Sequence, residues 1–145
     1  MVYHFTTLHQ TLIYITWKRT PSTENGKAFI QALQQILDQA NAPLYFISDL
    51  RHGQIVDIRI IHQLIGLTQH PNWAGSTAFS QNPISRLFLG SFHKMLPAGL
   101  DKNATFDRPE EAIAFLEHLC PGLTSSVNWP YILEAESRGT AEARD

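Results

Sequence analysis

The chain has one cysteine, Cys120, in 145 residues. That excludes an intrachain disulfide framework and a cysteine-rich zinc site, and the expected compartment is a reducing cytoplasm. Charge is sparse as well: 17% of residues are charged and the formal net charge is −2. No Lys/Arg-rich run occurs, so the footprint of a nucleic-acid-binding protein is missing. No apolar run is long enough to span a bilayer. The N-terminus lacks the charged, then apolar, layout of a signal peptide.

Several chemical motifs are missing too. There is no Gly-x-Gly-x-x-Gly turn and no P-loop, which excludes nucleotide binding by those routes. No serine sits in a Gly-x-Ser-x-Gly elbow. None of the seven histidines forms the i, i+4 pair with a glutamate that zinc hydrolases use. No metal or cofactor is expected. A receiver-type phosphorylation site would pair Asp49 with an acidic pair after an early strand, but the residues after Trp17 are Lys18, Arg19 and Thr20.

The apolar pattern is well formed. Val2–Thr7 and Thr11–Trp17 are rich in β-branched and aromatic residues and read as a hairpin. Thr20, Pro21 and Ser22 break the strand and open a helix. Phe29, Leu33, Ile36 and Leu37 then fall on one helical stripe. Leu44–Leu50 is an apolar run that reads as a strand covered on both faces. A polar loop follows, and a helix begins near Asp57 with Ile58, Ile61, Leu64 and Ile65. Thr77–Phe79 reads as a strand. Asn82-Pro83 is a strong helix start, and Ile84, Leu87, Phe88, Phe92 and Met95 mark that helix's apolar face. Ala104–Phe106 suggests a last strand. Asp107 and Glu110 fit a capping-box-like start for a helix carrying Ala112, Ile113, Phe115, Leu116 and Leu119. Val127–Leu133 is apolar enough to pack on its own domain or on a second copy. Glu134–Asp145 reads as a polar tail.

Strands alternating with helices predict an α/β fold. The expectation is one domain over residues 1–133, with a mixed, largely parallel sheet of about five strands, an N-terminal hairpin and four helices.

This order, with Asp49-Leu50 ending the buried strand and Phe106-Asp107-Arg108-Pro109-Glu110-Glu111-Ala112-Ile113-Ala114-Phe115-Leu116 near the end, resembles the STAS superfamily, specifically its SpoIIAA-like (STAS/SEC14-type) bacterial members. The likeness covers roughly residues 2–120 as an element order and is most specific over Phe106–Leu116. It implies a non-enzymatic binding or regulatory module. In the anti-sigma-factor antagonists of that superfamily, the loop after the central strand and the next helix start form a partner surface with a phosphorylatable serine. The matching stretch here, Asp49–Ile58, departs from that pattern, because it has no Ser or Thr. The SEC14-like relatives imply another occupant, an apolar small molecule between helix and sheet.

The candidate ligand or partner site is Asp49, Arg51, His52 and Asp57, with Ile58 and Ile61 on the adjoining helix. Strand ends of open α/β sheets gather ligands. The plainer reading is also structural: Asp57 caps the helix, Asp49 pairs with Arg51 or a backbone donor, and Gly53 serves the turn. Cys120, with His118 or His93, would be a nucleophile only with nearby positive charge, yet it falls at a helix C-terminus on an apolar stripe. Trp73, Trp129 and Tyr131 lie outside the regular periods and suit an interface. Three functions are open: a STAS-like module that self-associates, contacts a protein partner or holds an apolar ligand; a small enzyme using His52 between Asp49 and Asp57; and an assembly unit docking through residues 127–133.

Overall fold

The protein is seen in a computed structural model, which describes residues 2–53, 55, 57–95 and 102–142, without the side chains of 88, 89, 91, 93, 95 and 137–142. The expected stripe residues Phe88 and Met95, and His93, therefore lie outside the described side chains.

Strands β1 (Tyr3–His9) and β2 (Leu12–Trp17) form the antiparallel hairpin. Helix α1 (Thr23–Gln39) starts on Ser22. The Ser22 hydroxyl accepts from Asn25 N–H, and the Asn25 side-chain oxygen accepts from Ser22 N–H, each at 3.1 Å. Two otherwise free backbone donors are satisfied at once. Gly26, Phe29, Leu33 and Leu37 form its buried stripe. Then come β3 (Leu44–Asp49), α2 (Ile58–Leu67), β4 (Trp73–Phe79), α3 (Pro83–Met95), β5 (Asn103–Phe106) and α4 (Pro109–Leu119).

The sheet order is β1-β2-β3-β4-β5, and every pair after the hairpin is parallel. The fold is thus α/β with a mixed five-stranded sheet. Crossovers of one hand that always step in one direction place their helices on one face. Accordingly Phe29 and Leu33 of α1 and Ile60 and Ile61 of α2 share a core with Ile15 and Phe46 of the sheet. Ala112 and Leu116 of α4 cover the opposite face, against Leu12, Tyr14, Ile47 and Phe79. Side chains alternate along a strand, so β3 serves both cores, with Phe46 on one side and Ile47 on the other.

Two expectations are corrected here, and one open alternative is decided. The described residues form five helices where four were expected: α5 runs Trp129–Glu142, through the segment expected to be a tail from Glu134. The 127–133 segment packs in cis, with Val127, Trp129, Ile132 and Leu133 against the α4-side core, although Tyr131 stays 66% exposed. Asp107 does not cap α4. Arg108 occupies the cap without a side-chain bond, Pro109 takes the first turn, and Asp107 instead pairs with Arg86 at 2.9 Å.

Trp73 is a core residue rather than an interface residue. It packs on Phe46 with ring centroids 4.7 Å apart and donates from Nε1 to Asn103 Oδ1 at 2.9 Å. Among the described side chains of α3, Ser85 is buried and Phe92 half-buried, while Ile84 and Leu87 are 51% and 69% exposed. Among the described residues no helix is long and apolar enough to cross a membrane.

Candidate functional site

The sheet advances without reversing among its parallel strands, so it has no switch-point crevice of the kind that gathers ligands in doubly wound sheets. The end of β3 is closed by a polar network instead. Asp49 is 1% exposed. Its carboxylate accepts from Tyr14 Oη at 2.7 Å, from Arg51 N–H at 3.1 Å, and from Arg51 Nε and Nη2 at 2.9 Å and 2.7 Å. Four donors satisfy a buried carboxylate that would otherwise be very costly.

The same arginine donates from Nη2 to the Leu133 carbonyl at 2.8 Å and lies over the Phe79 ring, 5.8 Å from its centroid. Burial, reinforced by the charge and hydrogen bond of Asp49, pushes the Tyr14 phenol far above its ordinary value. Burial opposes the charge on Arg51, but the Asp49 hydrogen bond and charge outweigh it and raise its pKa. Beside this network, Glu136 of α5 accepts from Thr16 Oγ1 at 2.7 Å and from Thr6 Oγ1 at 3.3 Å.

The sequence-derived site is therefore split. Asp49 and Arg51 come together on the α4–α5 face. Asp57 belongs to the other side, as the cap of α2: its carboxylate accepts from Arg59 N–H at 2.9 Å and pairs with Arg59 Nη2 at 3.1 Å. Those bonds to Arg59, side chain first and backbone second, hold Asp57 below the usual carboxylate range. Each carboxylate thus has its own arginine. His52 is half-buried on the loop between them, Ile58 is 44% exposed, and Ile61 is buried. Gly53 is needed for a close approach rather than a turn. A Cβ there would stand 2.7 Å from the Arg19 carbonyl oxygen and 2.8 Å from Trp17 Cβ.

On the α1–α3 face, Ile61 and Leu64 of α2 wall a cavity of about 70 Å³ between helices and sheet. Ile15, Trp17, Phe46 and Ser48 line its floor, while Phe29 of α1 and Ser85 and Phe92 of α3 complete the wall. No charged side chain lines it among the described residues. The sequence pointed to Ile61 and the helix–sheet space but not to Trp17 or Ser85. Trp17 reads as an ordinary end of an apolar strand, and Ser85, a polar residue, falls outside the expected apolar stripe although it lines the cavity beside Phe92.

Among the described residues no three His, Cys, Asp or Glu side chains converge to hold a metal ion. Cys120 is half-buried at the C-cap of α4, against the α4-side core. The chain matches no protein-family model and no curated protein.

Proposed function

We propose that the chain is a non-enzymatic, STAS-like regulatory domain of the cytoplasm that responds to a small apolar ligand held between α2 and the sheet. The observation that carries this reading is the cavity of about 70 Å³, since close-packed interiors keep few voids larger than a water molecule. The resemblance to SpoIIAA-like proteins in element order supports this reading. The enzyme reading has less support: Asp49 and Asp57 sit on opposite sides of the sheet and are each bound by an arginine. A general base needs a carboxylate or imidazole within reach of substrate.

The test is to fill the cavity. Ala78 is buried and lines it. Small apolar compounds should raise the melting temperature of the wild type and leave an Ala78→Val variant unchanged. Equal shifts in both, or none in the wild type, would remove the ligand reading.

A second reading, contact with a protein partner or a second copy, is favoured by the exposed Ile58, Ile84 and Leu87. They occupy the early turns of α2 and α3, at the edge where the preceding parallel strands end. Ile84→Ser with Leu87→Ser should lower the mass measured by sedimentation if this edge joins two copies. An unchanged monomer would count against self-association there.

A further inference from the structure

The cavity wall contains polar groups that lack partners. Trp17 and Ser85 both line it, with exposures of 0% and 1%. Among the described residues, neither Trp17 Nε1 nor Ser85 Oγ meets a hydrogen-bond partner. An unmade bond on a buried donor costs the full desolvation of that group, and native interiors keep few such groups. Thr77 also borders the cavity and has an orphan hydroxyl, but it lies in register with Ile47, whose side chain belongs to the opposite, α4-side core.

These two groups constrain the occupant. An indole N–H only donates, so the ligand must offer an acceptor; a serine hydroxyl takes either role. An ionised ligand is unsuitable, because no charged side chain among the described residues lines the cavity to compensate it. The remaining wall is mostly apolar, with Ile15, Phe46 and Leu64 among its residues, and its other polar members are the neutral Ser48, Ser76, Thr77 and Thr105. Size sets the last limit. One water-sized position takes about 10–15 Å³, so the available volume suits roughly six non-hydrogen atoms.

We infer that the cavity binds a small neutral molecule, an apolar body carrying one oxygen acceptor of the carbonyl or alcohol class, with Trp17 Nε1–H and Ser85 Oγ holding that oxygen. This rests on the ligand reading above and specifies its chemistry. The occupant is recognised by the two unpartnered groups in a mostly apolar wall, the usual design of small-molecule sites.

Three probes of matched size separate the possibilities: cyclopentanone, methylcyclopentane and butyrate. The readout is the indole N–H signals of the ¹⁵N-labelled full chain, with the Trp17 peak assigned by its loss in Trp17→Phe. Cyclopentanone should shift the Trp17 peak downfield and bind about tenfold tighter than methylcyclopentane, the worth of one net hydrogen bond. Butyrate should not bind. In Trp17→Phe, and independently in Ser85→Ala, the preference for the ketone should shrink while the hydrocarbon still binds. Equal binding of ketone and hydrocarbon, or preference for butyrate, would overturn the acceptor assignment and leave the cavity reading standing. Failure of all three probes to perturb any lining residue would overturn both, with water as the occupant. Because the probes are compared on the wild type, the result holds even if one variant does not fold.

Discussion

Arg51 Nη2 stands 2.7 Å from Asp49 Oδ2, and the same nitrogen donates to the Leu133 carbonyl at 2.8 Å. One guanidinium thereby ties the end of the central strand to the last helix. It also neutralises a carboxylate that the sheet buries almost completely.

Removing one member of this pair should cost more than removing both. Arg51→Met leaves the Asp49 charge with only Tyr14 and a backbone N–H. Breaking a buried pair costs about 3–5 kcal/mol. Arg51 keeps 29% of its side-chain exposure, so screening reduces the expected loss to about 2–3 kcal/mol. Asp49→Asn/Arg51→Met strands no charge and should be the more stable of the two variants. Urea unfolding measures both. A double variant no better than Arg51→Met would show that the charge is not what the arginine offsets.

Tyr14 makes the alkaline limit of stability specific. Its folded-state pKa is raised, first by burial and then by Asp49. The neutral phenol is therefore favoured in the folded state. Its stabilisation is fully present below the unfolded tyrosine value of about 10 and is lost as pH rises above it. Tyr14→Phe should be less stable at neutral pH by about 1–2 kcal/mol, yet flatter between about pH 9 and 11. Parallel slopes in the two proteins would assign the alkaline loss to other groups.

Glu136 fastens α5 to the hairpin through Thr16 and Thr6, and Trp129 lies 6.4 Å from Tyr14, centroid to centroid. Glu136→Ala should lower stability by about 1–2 kcal/mol and speed amide exchange in 129–136 before the rest of the chain. Cutting the chain before Val127 should go further, baring the apolar α4-side face and raising binding of a hydrophobic dye. Unchanged exchange in α5 would mean that its apolar residues alone dock it.

Local chemistry made much of this fold legible. Ser22, Asp57 and Asn82 cap helices as their residue types suggest, and the Leu44–Asp49 run is the central strand. What stayed hidden depends on geometry beyond the local pattern. The register shift between Leu44 and Tyr45 interrupts the alternation that would have marked Trp73 as core. Helix α5 has no apolar period past Leu133, because Glu136 anchors it by polar bonds. Asp49 and Asp57 read as one rim, yet Asp49 points to the core opposite Leu50 while Asp57 caps α2.

Gly53→Ala tests how tightly the loop after β3 crosses the end of β2. The added methyl would meet the Arg19 carbonyl and Trp17 Cβ, and neither can rotate away as a flexible side-chain end would. Overpacking of this kind costs about 1–3 kcal/mol. Gly66→Ala is the control, since nothing lies within 4 Å of a Cβ there, and a helical alanine should add about 1 kcal/mol. Thermal melts should move in opposite directions. A neutral Gly53→Ala would show that the loop yields.

Glu117 sets an acid limit that a single substitution can isolate. It binds the turn between α4 and α5, accepting from Thr124 Oγ1 at 2.6 Å, from Thr124 N–H at 3.1 Å and from Gly122 N–H. Thr124, then the backbone of Gly122 and Thr124, holds its carboxyl below the ordinary value. The ionised form is therefore favoured in the folded state. Its contribution is present above the unfolded glutamate value of about 4.3 and disappears as pH falls through the lower, folded value. Glu117→Gln keeps the shape but not the charge, so its melting temperature should lie below the wild type at pH 7 and converge with it toward about pH 3. Leu123, buried by the same turn, should lose amide protection alongside. A gap between the two proteins that stays constant from neutral to acid would show that shape, not charge, holds this turn.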